Sequence, residues 1–127
     1  MAQQPASFDL HLYRGADYIR TWRVTDSDGN AIDLSGYQFL AQANQDSIAG
    51  EAMLTGAQGN PTSGEILVSG SAGGELSLLI KQADIDAIEE TITAGYWAMN
   101  AYDGDYINPW MEGRVVIHAS PLFSPPT

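Results

Sequence analysis

Cysteine is absent from this 127-residue sequence. That excludes disulfide staples, Cys-ligated zinc and thiol catalysis, and it is compatible with folding in a reducing cytoplasm. Basic residues are scarce: 5 Lys and Arg stand against 16 Asp and Glu, for a net charge of −11 at pH 7. With no basic patch to displace counterions from phosphates, no nucleic-acid partner is expected. No stretch approaches the roughly 18 apolar residues that span a bilayer, so no membrane partner is expected either. The opening Met1-Ala-Gln-Gln-Pro-Ala-Ser7 has neither positive charge nor an apolar centre and does not read as a signal peptide. The expectation is synthesis in a cytoplasm without conventional export. Catalytic signatures are missing as well. There is no Gly-x-Ser-x-Gly elbow, and Gly70 to Gly74 leads into a strand pattern without the Gly-Lys-Ser/Thr ending of a phosphate loop. Without a matched nucleophile, base and orienting group, the chain is expected to be neither an enzyme nor a cofactor binder.

What is present fits one soluble domain: 44% hydrophobic residues, 17% charged and 13 glycines to make turns. Residues 7–13 alternate, with Phe8, Leu10 and Leu12 on one face. Residues 17–25 follow with Tyr18, Trp22 and Val24 at even spacing. Asp28-Gly29 turns the chain, and Ile32 and Leu34 resume a period of two. Further strands are predicted near 37–43, 51–55, 65–69 and 75–80, with 56–63 as a loop. Over 81–90 the period changes: Ile85, Ile88 and Ile92 mark one helical face, with Asp84 and Asp86 near the start, where the helix dipole favours negative charge. A crossover helix of two or three turns is predicted there. Residues 96–102 form a strand with Trp97, Met99 and Ala101 on one face. Asp103-Gly104-Asp105 turns, 106–110 leads back with Pro109 at an edge or bend, and 112–119 closes with Val115 and Ile117 inward.

Seven or eight short strands at regular spacing with one helical crossover predict an all-β, immunoglobulin-like antiparallel β-sandwich. Residues 1–7 read as an N-terminal arm, 8–119 as the sandwich and 120–127 as a Pro-rich C-terminal tail. Without disulfides the core rests on Tyr18, Trp22, Val24, Trp97, Met99, Val115 and Ile117, with Trp22 and Trp97 as central anchors.

Several constellations resemble sites. Asp26-Ser-Asp28-Gly29-Asn30 has the look of a calcium loop, but Gly arrives at position four and Tyr37 stands where the bidentate Glu belongs, so a hairpin turn is expected. Asp103 and Asp105 pair two carboxylates with no third ligand nearby in sequence. His11 and His118, the 2 histidines, lie on the first and last strands, which often approach each other; without a third ligand they make a poor metal site, and exposed strand histidines are the expectation. The arginines, Arg14, Arg20, Arg23 and Arg114, are expected to pair with carboxylates. Tyr96, Tyr102, Tyr106 and Trp110 cluster around the last hairpin, suited either to a protein interface or to sugar stacking, or packed over the sandwich edge. Together with Pro121, Leu122 and Phe123 of the tail they are the candidate partner-binding residues. No residue is assigned to catalysis, cofactor or metal.

The succession Gly15-Ala-Asp-Tyr-Ile-Arg-Thr-Trp-Arg-Val24, Asp26-Ser-Asp-Gly29 and Ile32-Asp-Leu-Ser-Gly-Tyr37 resembles the opening of small tailed-phage virion proteins. Their immunoglobulin-like fold is similar to the N-terminal domain of baseplate upper proteins. The resemblance continues through Gly74-Glu-Leu-Ser-Leu78, the helix over 82–90, Gly95-Tyr-Trp97 and Glu112-Gly-Arg-Val-Val-Ile117. It implies a structural virion component, present in several copies of a symmetric assembly, that joins tail or baseplate to fibres or other virion proteins. Unlike the multidomain versions, the sequence has no long helix or coiled coil after the sandwich, which leaves a capsid decoration subunit as an alternative. A carbohydrate-binding module using Tyr102, Tyr106 and Trp110 is a third.

Overall fold

Alternation of apolar and polar side chains dictates most of the strands. In β8 (Glu75–Ile80) Leu76, Leu78 and Ile80 are fully buried while the residues between them face outward. The computed structural model describes residues 6–45, 51–89, 91–103 and 106–119. The tail residues Pro121, Leu122 and Phe123, the turn residues Gly104 and Asp105, and the side chains of Asp103 and Tyr106 lie outside what is described. The other strands are β1 (Ala6–Ser7), β2 (Leu10–Tyr13), β3 (Tyr18–Arg23), β4 (Gln38–Gln45), β5 (Ala52–Gly59), β6 (Ser63–Gly64), β7 (Ile66–Gly70), β9 (Ala94–Asp103) and β10 (Tyr106–His118). One sheet runs β1-β10-β9-β4-β5-β6 with β2 also on β10; the other runs β3-β8-β7.

This order is that of an immunoglobulin-like sandwich. It departs from a wholly antiparallel one at a single edge, where β1 and β2 both pair with β10 in parallel. A parallel pair needs a long crossover, and here most of the domain lies between the two partners. Residues 6–7, assigned from sequence to the arm, are therefore part of the sheet. Ten strands are described rather than seven or eight, two of them only two residues long. The predicted break between 110 and 112 is a bulge within the continuous β10.

Between the sheets lie Leu10, Leu12, Phe39, Ile66, Leu76, Leu78, Ile80, Trp97, Met99, Val115 and Ile117, among others. Tyr18, Trp22 and Val24 sit half-buried at the rim rather than in the centre. The reason is position: β3 is the outer strand of the smaller sheet, with β8 on one side only. Trp22 packs edge-on against Phe8, ring centroids 5.1 Å apart, and Phe8 in turn covers the open side of the core.

Phe8 and Asp9 interrupt the predicted strand over 7–13 because their polar groups are used across the sheet. The Phe8 amide donates to the Glu112 carbonyl (2.9 Å), the Asp9 carboxylate accepts the Arg114 amide (3.0 Å), and the Phe8 carbonyl accepts the Trp97 indole Nε1–H (2.7 Å).

The helix α1 (Gln82–Asp86) is shorter than its apolar spacing predicts. Five residues form a marginal helix on their own. The turn after β2 clamps both ends. Asp17 accepts the Gln82 amide (2.7 Å) at the start, and the Arg14 guanidinium donates to the carbonyls of Ile88 (2.7 Å) and Glu89 (2.9 Å) just past the end. A carboxylate at the N-terminus and a cation at the C-terminus match the helix dipole. Arg14 thus satisfies backbone carbonyls instead of the carboxylate expected from sequence. Arg14→Met keeps the apolar stem and deletes these charge-assisted bonds. The expected loss is about 2 kcal/mol, read as a lower unfolding midpoint, with Arg14→Lys recovering part of it.

The loop from 26 to 30 is a hairpin turn, as its residues predict. Asp26 accepts the amides of Asp28 (2.9 Å) and Asn30 (3.0 Å), and Gly29 takes φ 86. Ile32 and Leu34 do not resume a strand. Only the isolated pair Thr25 and Ala31 bridges there, and Leu34 drops into the core. The Ser35 hydroxyl and amide both donate to the Asp33 carboxylate and hold its pKa below the ordinary value.

Candidate interaction face

The larger sheet presents its core side through Phe39, Ala41, Ala43, Trp97, Met99, Ala101, Val115 and Ile117. Side-chain alternation therefore turns the intervening residues outward. Register aligns them in rows: Arg114, Tyr96 and Asn44 in one, Glu112, Ala98 and Gln42 in the next. Tyr102 and Gln38 form a further row, and Gln38 accepts a 2.7 Å bond from Gln58. Among the described outward side chains of β4, β9 and β10, only Glu112 and Arg114 carry formal charge, and the two cancel. On a chain of −11, this face is electrostatically distinct.

Tyr96 is 50% exposed, an unusual degree for a large side chain in mid-sheet. Arg114 lies over its ring, 4.8 Å from the centroid, and donates to its hydroxyl at 2.9 Å. The small Ala98 and Gly113 sit between these larger neighbours and open a shallow depression of ≈ 570 Å³, bounded by Asp9, Gln42, Asn44, Tyr96, Glu112 and Arg114. Tyr102 lies half-buried further along the same face.

Trp110 does not join them. It is the extra residue of the bulge between Pro109 and Met111. That insertion turns its ring to the core end, 5.5 Å from Tyr37 and 5.8 Å from Phe39. The predicted aromatic cluster is thus divided between two faces, and the sugar-stacking platform of Tyr102, Tyr106 and Trp110 loses its indole. Pro109 before the bulge was the one sequence signal available.

Two of the arginines meet aromatic faces, contacts the sequence did not suggest. Arg20 lies 4.8 Å over the Phe8 ring and Arg114 over Tyr96, so aromatic faces join carbonyls as their partners. Burial raises the Tyr18 phenol above its ordinary pKa, partly offset by the Arg20 charge.

At the β2–β10 edge, His11 and His118 meet. His11 Nδ1 and His118 Nε2 are 3.0 Å apart, and the Tyr13 ring stacks on His118 with centroids 4.7 Å apart. Among the described residues, no group of three or more His, Cys, Asp or Glu side chains is placed to hold a metal.

No protein-family model and no curated protein sequence matches this chain. Among solved structures it is similar to the extracellular domain of the voltage-gated sodium channel beta4 subunit, at 11% identity and a TM-score of 0.47. That match covers 94% of this chain and 98% of the other, which is described as a parallel homodimer with a role in cell-cell adhesion. A structure from work on multimeric cell-adhesive interactions of sodium channel beta subunits aligns at 11% identity and a TM-score of 0.45, over 89% of this chain and 91% of that one. A marsupial T cell receptor aligns at 10% identity and 0.49, over 86% of this chain and 48% of its own.

Proposed function

We propose that this chain is a structural subunit of a tailed-phage virion, at the tail, baseplate or fibre junction, held by its neighbours through the outer face of the larger sheet. Support for the particle assignment comes from the order of short motifs between residues 15 and 117 and from the sandwich fold that this order implies. The observation that carries the use of the face is its charge distribution. Subunits of −11 repel one another in a crowded assembly, and contact is least costly where little of that charge is carried. Interface centres are depleted of charge and enriched in Tyr and Arg, and the rows around Tyr96 and Arg114 have that composition on a concave floor.

The test has two parts. Quantitative mass spectrometry of purified particles is expected to find the chain at a small multiple of three or six copies. Hundreds of copies would move it to the capsid surface as a decoration protein, and absence from particles would overturn the assignment. Ala98→Glu fills the depression with a carboxylate at an exposed position. It is expected to leave the circular dichroism unchanged and to cut incorporation at least tenfold, about 1.4 kcal/mol of contact energy. Unchanged incorporation would remove this face from the interface.

A further inference from the structure

The two edges of the smaller sheet are finished differently. Along β7, groups that face away from β8 have partners. Thr62 accepts the Val68 amide on its hydroxyl (2.7 Å), donates that hydroxyl to the Ile66 carbonyl (2.6 Å), and donates its own amide to the Val68 carbonyl (2.9 Å). The Asn60 side chain accepts the Gly70 amide (2.9 Å) and donates to the Gly70 carbonyl (3.1 Å). Along β3 the outer groups are left bare. The Val24 amide donates to the Gly74 carbonyl (2.7 Å), and the antiparallel register sets Trp22, Arg20 and Tyr18 opposite Leu76, Leu78 and Ile80. Alternation therefore directs the amides and carbonyls of Tyr18, Arg20 and Trp22 to β8, and those of Ile19, Thr21 and Arg23 away from it. Among the described residues nothing bonds this outer set. Ile19 beside it is 68% exposed.

We infer that this edge takes an added antiparallel strand, supplied by residues 120–125 of a second copy of the chain. An unpaired edge is a template for such a strand, and the proline spacing of Ser120-Pro-Leu-Phe-Ser-Pro125 fits it. Every second residue of the added strand turns its amide and carbonyl to β3. Ser120, Leu122 and Ser124 supply those amides. Pro121 and Pro125 fall at the alternate positions, where a missing amide sacrifices no ladder bond. Pro126 has the opposite parity and stops the strand. Opposed residues share a face, so Leu122 joins Ile19 on the outer side. Phe123 turns inward, to a groove of ≈ 400 Å³ walled by Phe8, His11, Tyr13, Tyr18, Ile19 and Arg20. The two carboxylates of that groove, Asp9 and Asp17, are engaged by the Arg114 and Gln82 amides. Residues 120–127 carry no charged side chain, so a chain of −11 can accept them without repulsion.

The direction of the chain selects a second copy. The segment leaves β10 at His118, beside Tyr13. The turn after Tyr13, closed by the Ala16 amide on the Tyr13 carbonyl, leads directly into β3. A segment returning along its own β3 would thus run parallel to it. It would also have to pass one strand spacing and one sheet separation, about 11 Å together. That uses about three or four extended residues, the ones needed for pairing. Two β3 edges are poorer partners for each other, because Arg20 and Arg23 of both copies would meet. Reciprocal exchange of the segment closes a dimer, and exchange in one sense closes a ring. The inference is independent of the virion assignment and of the face around Tyr96.

The test uses the full chain. Sedimentation velocity from micromolar to millimolar concentration is expected to show mass rising above that of one chain. Amide hydrogen exchange followed by nuclear magnetic resonance is expected to slow at least about tenfold at Ile19, Thr21 and Arg23 on association. Exchange at Tyr18, Arg20 and Trp22 should be slow at every concentration. Leu122→Pro removes the central amide of the added strand and is expected to weaken association at least about tenfold. It lies outside the sandwich, so the circular dichroism should not change. Leu122→Ala keeps the amide and should weaken association less. A single-chain mass throughout would overturn the inference, as would association unaffected by Leu122→Pro. So would exchange at Ile19, Thr21 and Arg23 that does not depend on concentration.

Discussion

Trp97→Ala is expected to cost about 3–5 kcal/mol, a large share of the roughly 5–15 kcal/mol that holds a domain of this size. Trp97 is 2% exposed, at the centre of the larger sheet between β4 and β10. Truncation removes the largest fully buried side chain and leaves a cavity that rigid neighbouring strands cannot close. It also strands the Phe8 carbonyl, whose partner is the indole Nε1–H. The two losses separate with a second variant. Trp97→Phe keeps the six-membered ring and removes the donor with a smaller part of the volume, so a smaller loss of about 2 kcal/mol is expected. Urea unfolding followed by far-ultraviolet circular dichroism measures both. If Trp97→Ala and Trp97→Phe shift the midpoint equally, packing around the indole is not what stabilises this region.

Gly113→Ala is expected to destabilise by about 3 kcal/mol, although it adds only one methyl to a half-buried position. A Cβ there would stand 2.1 Å from the Phe8 carbonyl oxygen and 2.7 Å from its carbon. Those are backbone atoms, so no rotamer relieves the contact. The segment Phe8–Asp9 must lift off β10, and three bonds depend on its position: Phe8 to Glu112, Asp9 to Arg114, and Phe8 to Trp97. Because Gly113 and Trp97 act on the same carbonyl, their effects should not add. A double variant Gly113→Ala/Trp97→Phe should cost less than the sum of the two single changes. Full additivity, or an unfolding midpoint for Gly113→Ala equal to that of the parent, would contradict the close approach.

Much of the sandwich was legible because strand alternation is a local property. The span 75–80 coincides with β8, and Trp97, Met99, Val115 and Ile117 lie buried on the inner face that their spacing assigns them. The turn at Asp28-Gly29 was legible for the same reason, since the left-handed φ at Gly29 is a property of the residue itself. Trp22 was misjudged as a central anchor. Its spacing correctly gives its face, but burial depends on whether the strand is central or at an edge, which spacing does not encode. Trp110 was placed with the wrong neighbours because one bulged residue reverses the alternation that follows. Arg14 and Arg20 were expected on carboxylates from composition, yet composition does not say which acceptors the fold brings within reach.

Composition and periodicity alone determined an acidic all-β domain with two faces to each strand, a helical crossover near Ile85 and a core without disulfides. Each follows from side-chain volume, polarity and backbone preference read over a few neighbouring residues. Only the tertiary structure decided that the first strands run parallel to the last one and that Arg14 and Asp17 clamp the helix. It also decided that Glu112 and Arg114 are the opposed charges among the described outward side chains of β4, β9 and β10, and that His11 and His118 meet nitrogen to nitrogen. These are contacts between residues 65 to 107 positions apart, or pairings across strands. They are set by which strand edges the closing sandwich leaves for one another, a choice made by burial of the whole core and carried by no single segment.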